Sequence, residues 1–310
     1  MNDGKVTWEG SFPAIVTPFR ADGSVDEALF LENVELSVRE GAHGLVIGGH
    51  NGEAPLMDVE ERIRLFELAI PAVAGRIPVI CGSGHARTDL TIEMTRAAKA
   101  LGADGVMIET PYYMTPSDDD VVAHYQLVSD TVEIPILVYN NPRRTGCSVR
   151  VELLDRLANV EQVVAVKDSA GDFLQVVESI RACADRIEVF IGPARLFGFP
   201  AVAMGAKGFV DGLPQIMGSD IARLYELSKA GRNAEAKALQ YRCYAAGEAI
   251  YKNVRSFTYP ATLKAAMNLQ GRPGGLPRLP LRPLDDAALA ILERDMAAIG
   301  LLEPVGAVHR

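Results

Sequence analysis

The chain has 310 residues, of which 48% are hydrophobic and 23% are charged, and its formal net charge at pH 7 is −9. This composition is typical of a globular protein with one large barrel or two smaller domains. The negative charge, without any dense cluster of Lys and Arg, argues against a nucleic-acid-binding protein. No apolar run approaches the roughly 18 residues of a membrane span, and residues 1–10 lack the apolar segment of a signal peptide. Four widely spaced cysteines without a CxxC motif predict reduced thiols in a cytosolic (cytoplasmic) protein.

Segments typical of strands and of helices alternate along the first 230 residues. Short apolar runs bounded by turn residues predict strands that are buried on both faces, as in parallel sheets. Between them, apolar residues recur at helical spacing, and acidic residues such as Asp26 and Asp58 begin several helices. The strands are predicted at residues 12–16, 44–48, 78–81, 105–108, 134–139, 163–166, 188–191 and 208–210. Eight strand–helix units of this kind predict a (β/α)8 TIM barrel over residues 1–230, which would carry the catalytic site.

The remaining residues, 231–310, have a different pattern. Two or three helical segments follow one another without strands, and the Pro- and Gly-rich residues 271–283 interrupt them. We therefore predict a C-terminal helical appendix that packs on the barrel rather than folding as an independent domain.

Lys167 comes directly after the apolar run 163–166. An unpaired ammonium group is unfavourable inside a buried strand, so the lysine is expected at the C-terminal end of that strand. An α/β barrel places its active site at this end of its strands. Partial desolvation there favours the free amine, which is the nucleophilic form. The alternative is a lysine that ends a strand and points into water.

Two further loops at predicted strand ends carry groups suited to binding and proton transfer. The glycines of residues 48–53 allow backbone N–H groups to form a small nest for a carboxylate. Tyr139 is placed to pass a proton to or from a carbinolamine, and Arg144 is suited to holding a carboxylate in a fork. From these residues alone, a plain tight turn, a buried tyrosine and a surface arginine remain open alternatives.

A metal site is another alternative at the same end of the barrel. His50 and His85 follow the second and third predicted strands, and either Glu53 or Glu109 is available as a carboxylate ligand. The chain has no HExxH motif, and the spacing of these residues is not diagnostic of a metal site.

Three motifs in chain order, at residues 49–53, 139–146 and 167–172, resemble those of the dihydrodipicolinate synthase / N-acetylneuraminate lyase family. The resemblance covers essentially the whole chain, including residues 111–113 and 259–264. It implies a (β/α)8 barrel with a helical C-terminal extension that usually assembles as a tetramer. It also implies an imine between Lys167 and a 2-oxo acid, often pyruvate, with no separate cofactor and no metal.

The resemblance further implies roles for single residues. Tyr139 matches the tyrosine that relays protons to and from the imine, and Tyr113 matches the one that reaches a neighbouring subunit's site. Arg144 matches the arginine that binds the carboxylate of the second substrate in the synthases. Val210 matches a residue that flanks the bound 2-oxo acid, and Gly192 one whose carbonyl borders it.

Two positions depart from the family pattern. Between its glycines the family loop usually carries two hydroxyl residues, whereas Gly49 is followed here by His50 and Asn51. The Asn51 amide can still donate to a carboxylate, and the His50 imidazole, which normally titrates near neutral pH, is a candidate acid or base. The sialic acid lyases carry an acidic pair after the seventh strand, whereas this chain has Gly192, Pro193 and Ala194 there, so sialic acid is not the expected substrate.

We therefore predict a Schiff-base lyase or synthase acting on pyruvate or a related 2-oxo acid. An aldolase or dehydratase of 2-oxo-3-deoxy sugar acids is the alternative within the family. Outside it, the alternatives are a metal-dependent lyase using His50 and His85, and a binding or regulatory protein that has lost its proton relay at His50. The expected partners are a small-molecule 2-oxo acid and further copies of the chain in a dimer or tetramer, with no nucleic acid and no membrane.

Overall fold

Eight parallel strands form one sheet in the structure, a computed structural model that describes residues 6, 8–251 and 257–302. From β2 to β8 each strand pairs with the next in the chain, β8 pairs with β1, and an isolated parallel bridge between Ala14, which follows β1, and Val46 of β2 closes the ring. The ring is therefore a (β/α)8 barrel, as predicted. The strands are β1 (Gly10–Pro13), β2 (Leu45–Ile47), β3 (Val79–Gly82), β4 (Gly105–Glu109), β5 (Ile136–Asn140), β6 (Val163–Asp168), β7 (Glu188–Ile191) and β8 (Gly208–Asp211).

Helices cover the outside of the barrel, and polar side chains begin several of them. Asp26 and Asp172 accept hydrogen bonds from backbone N–H groups of the first turn. Asp58 and Ser117 each begin a capping box, in which the capping side chain and the acidic side chain three residues later each accept from the other residue's backbone N–H. The barrel helices are α1 (Glu27–Arg39), α2 (Val59–Val73), α3 (Thr88–Leu101), α4 (Asp118–Thr131), α5 (Pro142–Thr145), α6 (Val151–Leu157), α7 (Phe173–Cys183), α8 (Ala194–Ala203), α9 (Pro214–Met217) and α10 (Ser219–Lys229).

Within the described part of residues 231–310 three more helices follow the barrel, as the pattern predicted: α11 (Asn233–Tyr251), α12 (Tyr259–Leu269) and α13 (Asp286–Ala298). They share one hydrophobic cluster with α8 and α10, so the appended helices are packed on the side of the barrel. Whether residue 230 is a domain boundary stays a prediction. None of the helices within residues 6, 8–251 and 257–302 is long and apolar enough to cross a membrane.

Most predicted strands differ from the structure by one or two residues at an end, and β1 and β6 differ most at their C-terminal ends. The strand predicted at 12–16 runs from Gly10 to Pro13, and Ile15 and Val16 are buried but lie beyond it. There the Val16 N–H donates to the Gln215 side chain at 3.3 Å instead of to a neighbouring strand. The strand predicted at 163–166 extends to Asp168, so Lys167 lies inside the strand rather than after it.

Candidate active site

Lys167 is the second-to-last residue of β6, and the strand register places it beside Tyr139 of β5. Its Nζ lies 3.9 Å from the centroid of the Tyr139 ring, and the residue is only 5% exposed. No hydrogen bond or ion pair joins its ammonium group to another part of the described chain. The aromatic face supplies a weak electrostatic partner and leaves the nitrogen free to react.

Buried carboxylates beside Lys167 are held by other groups. Asp168 accepts hydrogen bonds from Asn140 Nδ2 at 2.9 Å and from Gln175 Nε2 at 2.5 Å. Asp211, at the end of β8, accepts from two backbone N–H groups. Burial raises the pKa of both carboxyl groups, and the nearby charge of Lys167 opposes this rise at Asp211. These two carboxyl groups are therefore held by hydrogen bonds within the barrel and form no direct ion pair with Lys167.

Tyr139 ends in a hydroxyl group that is fixed by a neighbour from its own strand end. Asn141 Nδ2 donates to the Tyr139 hydroxyl oxygen at 2.8 Å, and both residues are buried. Because the phenol oxygen accepts this bond, its own proton is available to another acceptor in the cavity.

The loop after β2 folds into two short 3₁₀ turns, His50–Gly52 and Ala54–Leu56. This fold places His50 and Asn51 on the cavity wall, where Asn51 Nδ2 donates to the Ala14 carbonyl at 3.3 Å. Gly49 instead packs against Met107, and a Cβ atom at position 49 would lie 2.9 Å from Met107 Cε. Gly49 does not line the cavity, so a direct contact of this residue with a ligand stays a prediction.

His50 was expected to titrate near neutral pH, and this expectation was wrong. Burial lowers the pKa of His50 to about 4, and the positive charges of Arg144 and Lys167 add to the effect, while a hydrogen bond between the His50 ring and the Asn51 side chain opposes it. The imidazole is therefore neutral at physiological pH. In this form one ring nitrogen donates and the other accepts.

Most of the predicted site residues line one cavity of about 370 Å³ at the C-terminal ends of the strands. Gly192 lies so close to Ser169 that a Cβ atom at position 192 would approach the Ser169 Oγ to 1.8 Å and would force Ser169 to move. The predicted residues brought together are His50, Asn51, Tyr139, Arg144, Lys167, Gly192 and Val210.

Tyr113, like Gly49, is a predicted site residue that lies outside this cavity. It is 89% exposed, with a backbone φ of 75°, and its neighbour Met114 is 77% exposed. The side chain contributes nothing to the cavity of its own chain, and its expected role in a neighbouring subunit stays a prediction.

Two of the residues proposed for a metal site, Glu53 and His85, are engaged elsewhere. The Glu53 Oε1 atom lies 2.5 Å from Lys264 Nζ, and both side chains are fully buried. His85 Nδ1 accepts a hydrogen bond from the backbone N–H of Arg87 at 3.0 Å. Across residues 6, 8–251 and 257–302, no three His, Cys, Asp or Glu side chains are grouped so that they could hold a metal ion. The metal-dependent reading therefore has no set of ligands in this region.

Several cavity residues were missed by the sequence analysis. Tyr251 and Tyr259 reach the cavity from the appended helices, and their rings stack with centroids 4.6 Å apart. The Arg195 guanidinium lies over the Tyr251 ring at 4.4 Å. Tyr259 belongs to a motif, residues 259–264, that was recognised without a role. The sequence pattern around Tyr251 and Tyr259 gives no sign that the appended helices reach the barrel mouth.

Comparisons with known proteins agree with this geometry. Residues 7–299 match the profile of the dihydrodipicolinate synthetase family. A 4-hydroxy-tetrahydrodipicolinate synthase from Pelobacter propionicus is 37% identical over 295 residues, which are 95% of this chain and 100% of that protein. A protein of the same name from Geotalea uraniireducens is also 37% identical, with the same coverage of both chains.

Solved structures give the same result at the level of the fold. The chloride-inhibited dihydrodipicolinate synthase from Acinetobacter baumannii, in complex with pyruvate, has a TM-score of 0.89. It is 29% identical and covers 96% of this chain and 100% of its own. These matches confirm the resemblance that the three motifs predicted, and this chain belongs to the dihydrodipicolinate synthetase family.

Proposed function

We propose that this protein is a lyase or synthase that forms an imine between Lys167 and pyruvate or a closely related 2-oxo acid. The observation that carries the proposal is a buried lysine without a carboxylate partner, set in a cavity against Tyr139. The relatives named synthases and the pyruvate complex of the Acinetobacter baumannii enzyme support this reading.

In the proposed mechanism the Lys167 amine attacks C2 of the 2-oxo acid and forms a carbinolamine. Loss of water then gives the imine, whose positive nitrogen is an electron sink. A proton leaves C3, and the enamine that results is a carbon nucleophile. Tyr139, held by Asn141, is placed to carry protons to and from these intermediates.

The groups on the cavity wall fit a 2-oxo acid carboxylate. Asn51 provides an amide donor, and Arg144 is an exposed guanidinium that makes no ion pair with the described residues. His50 is neutral, so it can act by hydrogen bonding at either ring nitrogen. Gly192 and Val210 border the remaining space. We therefore assign the carboxylate to the side of the cavity formed by Asn51 and Arg144.

For the step that follows the enamine we propose condensation with an aldehyde. The relatives reported above are named synthases, which favours condensation over the cleavage or dehydration of a 2-oxo-3-deoxy sugar acid. No separate cofactor is needed, because the lysine imine itself supplies the electron sink.

We also propose a cytosolic homo-oligomer, either a dimer or a tetramer. Two adjacent large hydrophobic side chains, Tyr113 and Met114, are almost fully exposed, which supports burial of this segment against another copy. All four cysteines are buried free thiols, which supports a reducing compartment. Sedimentation analysis of the native chain and of Tyr113→Ala tests the assembly, and a monomeric native chain would contradict it.

Trapping with borohydride tests the imine directly. The chain is incubated with excess pyruvate, reduced with borohydride, digested and analysed by peptide mass spectrometry. We expect a reduced pyruvate adduct on Lys167, and none in Lys167→Ala. The peptide that contains Lys264 serves as an internal control, because that lysine is buried and paired. An unmodified Lys167 in the presence of excess pyruvate would contradict the proposal.

A further inference from the structure

The cleft at the barrel mouth has two chambers. The first contains Lys167, and the second has a volume of about 320 Å³. Four residues line both chambers, so they form a shared wall, which consists of His50, Tyr139, Asn141 and Arg144. The two chambers therefore adjoin at these four side chains, and the second chamber lies next to the one that contains Lys167.

The two chambers differ in chemistry. Beyond the shared wall, the first chamber is bordered by polar and charged side chains such as Asn51, Arg143, Ser169 and Asp211. The second is lined mainly by apolar and aromatic side chains, namely Ala54, Pro55, Leu56, Tyr112, Pro260 and Leu281. Such a surface gains free energy by covering apolar atoms and offers little to a strongly hydrated group.

Two of the polar side chains that line the second chamber already have partners within the chain. Glu53 is already paired with Lys264, and the Thr145 hydroxyl donates to the Cys147 carbonyl at 3.0 Å. Thr258 has a buried hydroxyl group without a partner in the described chain. Apart from Thr258 and Glu109, the described side chains beyond the shared wall therefore offer sugar hydroxyl groups few replacements for their hydrogen bonds to water, and the loss of such bonds is costly.

The charged side chains that line the second chamber also favour an uncharged substrate group in its far part. Glu109 brings a carboxylate to the second chamber, and Arg144 is the one cation among the described residues that line it. Because Arg144 belongs to the shared wall, it faces the junction with the first chamber, where a carboxylate or a carbonyl oxygen would be. The far part of the second chamber therefore favours an uncharged group.

We propose that the second chamber binds the apolar part of an aldehyde substrate, an aryl or branched alkyl group, whose carbonyl lies at the shared wall. This inference rests on the proposed imine chemistry at Lys167. An apolar cavity of about 150 Å³ is enough to hold benzene, so a chamber of about 320 Å³ accommodates a substituted ring or a branched chain.

The reaction balances with pyruvate, the aldehyde and water. C3 of the enamine attacks the aldehyde carbon, a C–C bond forms, and the C=O π bond breaks. The alkoxide takes up one proton, which replaces the proton that left C3. Water then hydrolyses the imine, which releases a 4-hydroxy-2-oxo acid and restores the Lys167 amine. His50 and Arg144, both on the shared wall, are placed beside the aldehyde oxygen.

The test measures kcat/KM for condensation of pyruvate with matched aldehydes on the full chain. The panel contains benzaldehyde and 3-methylbutanal as apolar aldehydes, and glyceraldehyde and aspartate semialdehyde as polar ones. We expect each apolar aldehyde to exceed each polar one by at least about tenfold, the lower range for filling an apolar pocket. A higher value for either polar aldehyde would overturn the inference.

Substitutions in the second chamber locate the effect. Leu56→Asn and Leu281→Asn should each lower the benzaldehyde-to-glyceraldehyde ratio of kcat/KM by about tenfold, because they replace apolar contacts with an amide. Leu127→Asn is the matched control, since Leu127 lies on α4, is 52% exposed and lines neither chamber. An unchanged ratio in both chamber variants would overturn the inference, even if the native panel shows the preference.

A separate measurement distinguishes failure of this inference from failure of the proposed function. Exchange of the C3 protons of pyruvate in D2O, followed by NMR, reports enamine formation without any aldehyde. Exchange together with a preference for polar aldehydes would overturn the apolar second chamber and leave the imine chemistry standing. Neither exchange nor a borohydride adduct would overturn both.

Discussion

Two buried lysines, Lys167 and Lys264, have opposite surroundings. Lys264 is 0% exposed, and its Nζ is 2.5 Å from Glu53 Oε1 and 2.9 Å from the Leu276 carbonyl oxygen. Lys167 is 5% exposed and has only the Tyr139 ring against its Nζ in the described chain. A buried ammonium group with a structural role needs an anion, whereas one that must attack a carbonyl has to remain accessible and unpaired.

The Lys264 pair also explains how the appended helices contribute to the site. Glu53 joins the two 3₁₀ turns of the loop that carries His50, and its backbone φ of 59° lies in the left-handed region that non-glycine residues rarely adopt. The backbone N–H of Arg278 donates to the second Glu53 oxygen at 2.9 Å. Contacts with Lys264 and with the Arg278 backbone, both from beyond the barrel, therefore hold the strained Glu53 between the two turns of the loop that carries His50.

The largest expected effect is the loss of activity in Lys167→Met. Without the amine no imine forms, so pyruvate exchange should fall by at least about 10⁴-fold, as when a covalent nucleophile is removed. Stability to urea should be unchanged or higher, because an unpaired buried charge is removed. Pyruvate exchange at a rate similar to that of the native chain would show that another lysine is the nucleophile.

The same substitution at the paired lysine should have the opposite result. Lys264→Met leaves Glu53 buried without its cation, and unfolding in urea should show a loss of about 3–5 kcal/mol. The double variant Glu53→Gln/Lys264→Met should recover much of this loss, because no uncompensated charge remains. If the single and double variants were equally stable, the unpaired Glu53 charge would not be the cause of the loss in Lys264→Met.

Tyr139→Phe separates the aromatic contact with Lys167 from proton transfer. The ring remains, but the hydroxyl group that accepts from Asn141 is lost. We expect pyruvate exchange to slow by about a hundredfold, the lower range for general acid–base catalysis. Borohydride should still trap an adduct after long incubation. Exchange at the native rate would mean that another group, such as His50, carries the proton.

The smallest expected effect concerns acid stability and His50. The unfolded imidazole takes up its proton below about pH 6.5, whereas the folded one does so only near pH 4. The free energy of unfolding should therefore fall as the pH falls from 6.5 to 4, by about 2 kcal/mol for this residue after allowance for partial exposure. His50→Gln should remove that part of the loss and should match the native chain's pH dependence above pH 7.

His124 is the control for this measurement. Burial alone lowers its pKa to about 4, and it is remote from the cations that add to the effect at His50. Lys167→Met should therefore raise the pKa of His50 measured by NMR titration and leave that of His124 unchanged. Equal shifts at both histidines would indicate a general loosening of the fold rather than a local charge effect.

Much of the fold was predictable because its signals are local. Apolar runs, helical spacing and capping residues such as Asp58 depend on neighbours in the chain, and they predicted eight strands and the helices between them. The ends of β1 and β6 were misplaced because local hydrophobicity does not show where pairing stops. Ile15 and Val16 are as apolar as strand residues, yet Gln215 rather than a strand accepts the Val16 N–H.

The candidate site was predictable only in part. The motifs predicted Lys167, Tyr139 and Arg144, and the barrel brings all three into one cavity. A signal for the buried pair was present, because Lys264 interrupts the apolar residues of α12 and such a lysine requires a partner. That the partner is Glu53 could not be predicted, since pairing across such a separation depends on how α12 docks on the barrel.

The sequence by itself therefore determined the barrel, the family and the candidate lysine, because each depends on local periodicity or on a short motif at a strand end. Only the tertiary structure decided that Lys264 is paired while Lys167 has no ionic partner among the described residues, that burial lowers the pKa of His50, and that a second, largely apolar chamber adjoins the one with Lys167. These properties depend on burial and on the distances between charges, and both are set by segments that are distant in the chain.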